Sequence, residues 1–306
     1  MAEEGAPLAV LVMAYGGPDT IDDVEPYLQD IRGGRPTKPQ LVEEIRARYA
    51  RIGGRSPILE HTRAQAAAIG RTLGSRYRVH VGMRHWHPYI RDAVADIKRA
   101  GHRRLIGVVM APHDSSMSIG AYEKKLLEAA GPDLETTLVR SWWANPHFLG
   151  AVAARVTRAL QRFPRPQDVQ VVFTAHSLPE RIREIGDPYP EELSASATAV
   201  AQRLGLDGWR FAYQSAGATP EPWLGPDVRD LMRDVATHGK NALLVVPIGF
   251  VCDHVEILYD IDVECQALAQ RLGMRLERTD SLNDDPGLVT AVAEVIREAA
   301  AARGWI

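Results

Sequence analysis

Three acidic residues are spaced so that their carboxylates would share one face of a helix. Glu256, Asp260 and Glu264 follow one another at intervals of four residues, and in an α-helix each interval turns the side chain by only about 40°. Carboxylates stacked in this way repel one another, and a divalent cation would offset the repulsion. The pattern therefore indicates a metal site, although a solvent-exposed acidic stripe near a helix N-terminus would have the same spacing.

His176 is a second candidate for metal or proton chemistry. It follows the apolar run Val169–Thr174 and precedes the turn at Leu178 and Pro179. Parallel sheets present reactive side chains at this end of a strand. A neutral imidazole binds Fe(II), and it also accepts a proton near neutral pH. His176 is thus either a structural histidine or, opposite the carboxylate row, half of a combined metal and proton site.

Tyr15 occupies the corresponding loop in the first half of the chain. Both loops follow an apolar strand, and both are rich in residues with useful chemistry. A phenol oxygen in this place can serve as an axial ligand to iron, as tyrosine does in some haem proteins. A tyrosine that simply caps the end of the core would fit the same position.

The elements that must position these residues form an α/β pattern that occurs twice. Apolar, β-branched runs alternate with longer segments of helical period, which is typical of a parallel sheet covered on both faces. We predict strands at Leu8–Tyr15, Tyr77–Met83, Arg104–Ala111 and Thr136–Ser141, and again at Asp168–Ala175, Trp209–Gln214, Ala242–Phe250 and Met274–Thr279.

The repeat predicts two similar units of four strands each. We place the first at residues 1–163 and the second at 164–306, joined through the proline-rich stretch Phe163–Pro166. A final amphipathic helix, about 286–304, has no strand after it and is free to pack on the N-terminal unit. Because ligands in such folds bind beyond the carboxyl ends of the strands, we expect the site there, between the units.

Composition excludes several classes of protein. A net charge of -3 gives no reason to expect nucleic acid, and no stretch approaches the roughly 20 apolar residues that span a bilayer. The N-terminus lacks the features of a signal peptide, so we expect a cytoplasmic protein. The two cysteines, Cys252 and Cys265, cannot alone hold an iron–sulfur cluster. One basic stretch would suit an anionic ligand, or else form a solvated helix face; it contains Arg32, Arg35, Lys38, Arg46, Arg48, Arg51 and Arg55.

The motifs together resemble the ferrochelatase family, and most of all its bacterial branch that acts on coproporphyrin III. Single motifs such as Gly186–Pro190 are weak, whereas their order and spacing along nearly the whole chain are specific. The matching stretches are Leu11–Gly16, Tyr49–Pro57, Ala111–His113, Ala175–Pro179, Gly186–Pro190, Gln214–Gly217, Pro222–Asp227 and Gly249–Glu264.

This resemblance implies an enzyme that inserts Fe(II) into coproporphyrin III to give coproheme, with release of two protons. It implies a monomer of two Rossmann-like, chelatase-type units with the porphyrin in the cleft between them. Iron is then a substrate, and no permanently bound cofactor or iron–sulfur cluster is expected. The expected partners are coproporphyrin III, Fe(II) and a transient acceptor of coproheme, with neither nucleic acid nor membrane insertion.

The resemblance also implies roles for individual residues. His176 and Glu256 match the facing catalytic and metal-binding pair, with Asp260 and Glu264 as an outer path for metal or protons. Tyr15 matches the tyrosine that binds product iron, where protoporphyrin-type members generally carry methionine. The residues matching positions that hold the propionates are Arg32, Arg48, Tyr49, Ser56 and Tyr122.

Two positions depart from the family pattern, and other functions remain open. Gly33 and Ala216 stand where many relatives carry a basic and an acidic residue, and we expect them to tune porphyrin contacts. The alternatives are a cobalt or nickel chelatase acting on sirohydrochlorin, a non-catalytic porphyrin carrier, and a periplasmic-type binding protein. The carboxylate row disfavours a carrier, and the N-terminus disfavours the last.

Overall fold

Four buried apolar runs in the first half of the chain pair into a parallel sheet. The computed structural model describes residues 7–217 and 219–306. Within them the order of this sheet is β2-β1-β3-β4. All seven residues of the central strand β1 are buried, because helices cover both of its faces. The strands are β1 (Leu8–Ala14), β2 (Tyr77–Met83), β3 (Arg104–Val109) and β4 (Glu135–Val139).

The second half of the chain repeats this arrangement. In the described residues its sheet has the order β6-β5-β7-β8, again fully parallel, with β5 in the place of β1. The strands are β5 (Gln170–His176), β6 (Arg210–Gln214), β7 (Ala242–Val246) and β8 (Arg275–Arg278). The predicted fold class is confirmed, and every predicted strand is present with bounds that differ by a few residues.

The segments of helical period between the strands form helices, as expected of crossover connections in parallel sheets. Short 3-10 turns occur at Ile21–Asp23, Pro166–Asp168 and Glu180–Arg183. The α-helices in the described residues are α1 (Val24–Ile31), α2 (Pro39–Arg51), α3 (Ile58–Leu73), α4 (Ile90–Arg99), α5 (Ile119–Ala130), α6 (Pro146–Leu160), α7 (Tyr189–Leu204), α8 (Val228–Thr237), α9 (Val255–Leu258), α10 (Gln266–Arg271) and α11 (Pro286–Ala302). No helix among these described residues has the length and apolar character needed to cross a membrane.

The described chain separates into two compact units whose boundary differs from the predicted one. The first contains residues up to Pro112, Ser116–Trp142 and Asn283–Ile306, and the second contains His113–Ser115 and Trp143–Leu282. Helix α6 lies on the second unit because it packs against α7 and β7. The terminal helix α11 lies on the first unit, where it contacts α3, β3 and β4. The boundary therefore falls at Trp142 rather than after residue 163.

Each sheet has one topological switch point, where the chain leaves two neighbouring strands toward opposite edges of the sheet. In the first sheet it lies between β1 and β3, and in the second between β5 and β7. Ligands of open parallel sheets bind beyond the carboxyl ends of the strands at such switch points. Tyr15 directly follows β1, and His176 is the last residue of β5. The fold thus places both sequence candidates at the switch points of their sheets.

Candidate metal and proton site

His176 and Glu256 form a hydrogen-bonded pair at the second switch point. The two residues are 80 positions apart in the chain, and the adjacency of β5 and β7 brings them together. The His176 Nδ1 atom lies 2.8 Å from Glu256 Oε2. Their side chains keep 35% and 29% of their surface exposed, so solvent and small ions reach the pair. The structure therefore joins two residues that the sequence could only propose as partners.

The two groups shift each other's protonation. Burial alone would lower the pKa of His176, but the charge and hydrogen bond of Glu256, with Asp260 beyond it, hold that pKa above its ordinary value. Burial alone would raise the pKa of Glu256, and the neighbouring imidazole outweighs this effect and holds the pKa well below the usual range. At neutral pH Glu256 is a carboxylate that orients the imidazole and favours its protonated form.

Ser215 connects Glu256 to the next carboxylate of the row. Its hydroxyl donates its single proton to Asp260 Oδ2, and its proximity also helps to lower the pKa of Glu256. The backbone of Ser215 has φ +61°, a left-handed conformation that residues other than glycine rarely adopt. Such local strain persists where surrounding contacts enforce it, and it is common at functional sites. The charges of Glu256 and Asp260 therefore both act on the protonation of His176.

The three carboxylates do not lie on one continuous α-helix. The prediction of a single α-helix over this segment was therefore wrong. Helix α9 ends at Leu258, and a π-helical segment spans Asp260–Cys265 before α10 begins. The Glu264 N–H bonds to the carbonyl of Tyr259, five residues back, at 3.0 Å. The turn that connects Asp260 to Glu264 is therefore π-helical rather than α-helical.

Glu264 lies next to an arginine that the sequence analysis did not single out. Its Oε2 atom is 3.9 Å from Arg229 Nη1. The guanidinium of Arg229 is held by both carboxylate oxygens of Asp227, at 3.0 and 3.1 Å. The structure thus groups Glu256 and Asp260 with His176, and it groups Glu264 with a fixed cation.

Gln214 is a buried residue that fixes the position of Glu256. Its side-chain amide donates to the backbone carbonyl of Glu256 at 2.7 Å, and its carbonyl accepts from Thr174 Oγ1 at 2.9 Å. It is 1% exposed. A second contact holds the other partner, because Tyr189 Oη donates to the backbone carbonyl of His176 at 3.0 Å. The sequence signals for Gln214 were its place at the end of a predicted strand and the family-like stretch Gln214–Gly217.

Replacing Gln214 with leucine is expected to destabilise the fold and loosen the pair. The change leaves the Glu256 carbonyl and the Thr174 hydroxyl buried without partners, which costs about 1–3 kcal/mol for each such group. Urea unfolding of Gln214→Leu measures the loss, with the exposed Gln202→Leu on α7 as the matched control. An unfolding free energy within about 0.5 kcal/mol of wild type would contradict this positioning role.

Tyr15 stands in a cluster of aromatic and basic groups in the first unit. The Tyr15 ring lies 4.7 Å from the His85 ring, measured between centroids. The Arg84 guanidinium carbon lies 5.6 Å from the centre of the Tyr15 ring and 5.3 Å from that of Tyr122. Tyr15 is 38% exposed, whereas Tyr122 is buried in the core between α5 and the sheet. The structure thus brings two predicted residues together through Arg84, which the sequence analysis missed.

A buried histidine, His85, packs against the Tyr15 ring of this cluster. His85 Nδ1 lies 2.8 Å from Asp30 Oδ2. Burial lowers the pKa of His85 to about 4, and the positive charges of Arg84 and Lys125 lower it as well. The hydrogen bond between His85 and Asp30 opposes these effects but does not outweigh them. His85 is therefore neutral at physiological pH. Arg84 therefore places a positive charge beside the exposed phenol of Tyr15.

The other predicted propionate residues lie on the elements that follow β1. Arg32 ends α1 in an exposed turn, where Gly33 has φ +65°, so a glycine there has a backbone reason. Arg48 on α2 pairs with Glu44 at 2.8 Å, and the ring of Tyr49 is 2% exposed. Ser56 packs so tightly on Gly17 that a Cβ at Gly17 would meet the serine oxygen at 2.4 Å.

Both cysteines are buried free thiols. Burial raises the pKa of Cys252 and of Cys265 to about 12. Both thiols are therefore protonated at neutral pH in the metal-free protein. Across residues 7–217 and 219–306, no three or more histidine, cysteine or acidic side chains converge as a metal-binding group. The absence of an iron–sulfur cluster stays a prediction.

Comparison with solved structures supports the fold. The sirohydrochlorin chelatase SirB from Bacillus subtilis subspecies spizizenii, in complex with cobalt, matches with a TM-score of 0.61 over 96% of both chains. SirB from Bacillus subtilis with Fe3+ matches with a TM-score of 0.63 over 97% of this chain and 98% of that one. Sequence identity is only 12% and 11%, so these matches concern the fold alone.

Comparison of sequences identifies the family. The family model described as Ferrochelatase matches residues 7–300. A ferrochelatase of Herpetosiphon aurantiacus is 45% identical over 95% of this chain and 98% of its own length. A coproporphyrin III ferrochelatase of Bacillus subtilis is 38% identical over 94% of this chain and 96% of its own. The chain therefore belongs to the ferrochelatase family, the enzymes that insert iron into a porphyrin.

Proposed function

We propose that the porphyrin substrate of this enzyme is coproporphyrin III, and that the product is coproheme. The observation that carries this proposal is the exposed phenol of Tyr15 at the first switch point. A phenolate oxygen is a suitable axial ligand for ferric iron. The likeness to relatives named coproporphyrin III ferrochelatase, such as the one from Bacillus subtilis, points the same way.

The charges near Tyr15 suit a porphyrin with four propionates. Arg84 lies over the rings of Tyr15 and Tyr122, and Arg32 and Arg48 lie on the helices that follow β1. Guanidinium groups bind carboxylates through charge-assisted, often paired hydrogen bonds. Coproporphyrin III carries two more propionates than protoporphyrin IX, so it gains more from each added guanidinium. We assign Arg32, Arg48, Tyr49, Ser56 and Tyr122 to propionate binding, with Arg84 beside them.

In our proposal, His176 accepts the protons that leave the porphyrin. Insertion of Fe(II) into the free base releases two pyrrole N–H protons. With Nδ1–H bonded to Glu256, the other ring nitrogen of His176, Nε2, has a lone pair for a proton. Glu256 and Asp260 stabilise the imidazolium that forms, as the raised pKa of His176 implies. The partly exposed imidazole then passes that proton to solvent and takes the second.

The carboxylates would bring the metal to the same place. Glu256 binds His176 through one carboxylate oxygen, so the carboxylate retains capacity for a cation. Asp260 and Glu264 extend the row outward along the π-helical segment. Oxygen ligands of this kind bind divalent cations without holding them in a closed cage. Iron would thus travel inward along Glu264, Asp260 and Glu256 as the protons leave.

Parallel assays with two porphyrins test the substrate proposal. Anaerobic turnover with Fe(II) is followed by visible spectroscopy for coproporphyrin III and protoporphyrin IX under identical conditions. We expect a kcat/KM for coproporphyrin III at least about tenfold higher, a difference of 1.4 kcal/mol in transition-state binding. A preference for protoporphyrin IX would refute the proposal, while binding without turnover of either would favour a carrier.

Replacing Tyr15 with methionine is expected to change the ferric product complex. The substitution removes the only oxygen of that side chain, so the Soret band of the ferric coproheme complex should shift and product should dissociate faster. Tyr15→Phe is the matched control, because it removes the oxygen and keeps the ring. A ferric spectrum identical to wild type in Tyr15→Phe would show that the phenol does not bind iron.

A further inference from the structure

The two ends of the carboxylate row have different electrostatic partners. At the inner end Glu256 pairs with His176, a cation only when protonated. In the middle Asp260 receives a hydrogen bond from the hydroxyl of Ser215. At the outer end Glu264 lies 3.9 Å from Arg229, whose guanidinium is always charged. A permanent positive charge therefore stands where an incoming cation would first meet the row.

Arg229 is fixed in this position by Asp227. Two N–H groups of the guanidinium donate to the two oxygens of the Asp227 carboxylate, and Asp227 itself caps the N-terminus of α8 through the Arg229 N–H at 2.8 Å. The hydrogen bonds that Arg229 donates to Asp227 raise the pKa of Arg229 further, and the charge of Glu264 adds to the effect. Rotating the guanidinium away from Glu264 would break this paired contact.

A neighbouring acidic residue has its own dedicated partner. Arg278 donates to both carboxylate oxygens of Asp262, at 2.7 and 2.8 Å, and lies 3.2 Å from Asp253. Asp262 lies in the same π-helical segment as Glu264. Its charge is thus already compensated by a largely buried arginine, with 16% of the side chain exposed. The outer cation site therefore consists of the two carboxylates of Glu264 and Asp227, and the one positive charge of Arg229 offsets part of their negative charge.

We propose that Arg229 sets the affinity of the outer end of the row for divalent cations and keeps it weak. This inference rests on the metal path of the proposed function and adds a residue that controls it. A path of successive sites conducts ions only when each site binds weakly enough to release them. Without Arg229, Glu264 and Asp227 would present two uncompensated carboxylates, which would capture a metal ion more tightly and pass it inward less readily.

Removing the charge of Arg229 tests this inference. Equilibrium dialysis with Co(II) alone, without porphyrin, measures cation affinity, and initial rates at varied Fe(II) measure the metal KM. For Arg229→Gln we expect both the Co(II) Kd and the Fe(II) KM to fall about threefold at low ionic strength, the size of effect that exposed ion pairs give. The KM for the porphyrin should not change. At about 1 M salt the difference should vanish, because the Debye length falls to about 3 Å.

Further variants make the result specific. Arg165→Gln removes another exposed arginine, paired with Asp168, at the opposite end of β5, about 20 Å of strand from His176. It should leave both constants at the wild-type values. Arg229→Lys keeps the charge and should also retain them. In the Glu264→Gln background, Arg229→Gln should have a smaller effect, because only Asp227 is then left uncompensated. If Arg229→Gln does not fold, Arg229→Met measures the same loss of charge.

The outcomes separate this inference from the function on which it rests. A Co(II) Kd unchanged by Arg229→Gln, an equal change in Arg165→Gln, or an effect of full size without Glu264 would each overturn the role of Arg229. Absence of iron insertion into any porphyrin by the wild-type protein would instead refute the proposed function. The Co(II) measurement needs no turnover, so it decides the role of Arg229 in either case.

Discussion

Replacing His176 with alanine is expected to lower kcat for iron insertion by about 10²–10⁴-fold, the range that a positioned acid–base group contributes. The imidazole is bonded to Glu256 at 2.8 Å and has a raised pKa, so it is poised to accept a proton. Porphyrin binding should change little, because we assign the propionate contacts to other residues. Steady-state rates and fluorescence titration with the free-base porphyrin measure the two quantities separately.

A second histidine provides the control for this experiment. His238 follows α8, is exposed, and hydrogen-bonds the backbone carbonyl of Asp234 on that helix through Nδ1 at 2.8 Å. His238→Ala should therefore turn over at the wild-type rate. Added imidazole should restore part of the activity of His176→Ala if the missing group is a base. Turnover within a factor of two of wild type in His176→Ala would remove this residue from the mechanism.

The fold could be predicted from the sequence because parallel sheets leave a strong local signal. Strands such as β1 and β5 are buried on both faces, so they appear as uninterrupted apolar runs. The switch-point rule then placed Tyr15 and His176 at the functional edges of their sheets. The unit boundary was less visible, since the packing of α6 on α7 is a tertiary contact that no local pattern encodes.

The candidate site was predictable only in part. The spacing of Glu256, Asp260 and Glu264 predicted the row, but the same spacing predicted an α-helix and not the π-helical turn at Asp260–Cys265. Arg229 and Gln214 act through partners that are distant in sequence or belong to the backbone. A motif reports residue types at fixed spacing, so contacts of this kind remain invisible until the fold is known.

Replacing Glu256 with glutamine is expected to move the acid limb of the pH profile downward as well as to slow the reaction. His176 must be unprotonated to accept a pyrrole proton, so kcat/KM falls as pH drops through its pKa. In the wild type Glu256 and Asp260 hold this pKa above its ordinary value, which places the acid limb above pH 6.5. Glutamine keeps a hydrogen-bond acceptor but loses the charge, so the pKa of His176 decreases.

The expected shift is toward acid, with kcat lower by about 10²-fold because the imidazolium loses its counter-charge. Profiles of kcat/KM from pH 5 to 9 measure both effects. Asp260→Asn is the matched control, since Asp260 acts on His176 through its charge alone, and its shift should be smaller in the same direction. A displacement toward acid in Glu256→Gln follows only if the Glu256 charge raises the pKa of the catalytic base. An acid limb that stays in place or moves to higher pH would therefore show that His176 is not the base.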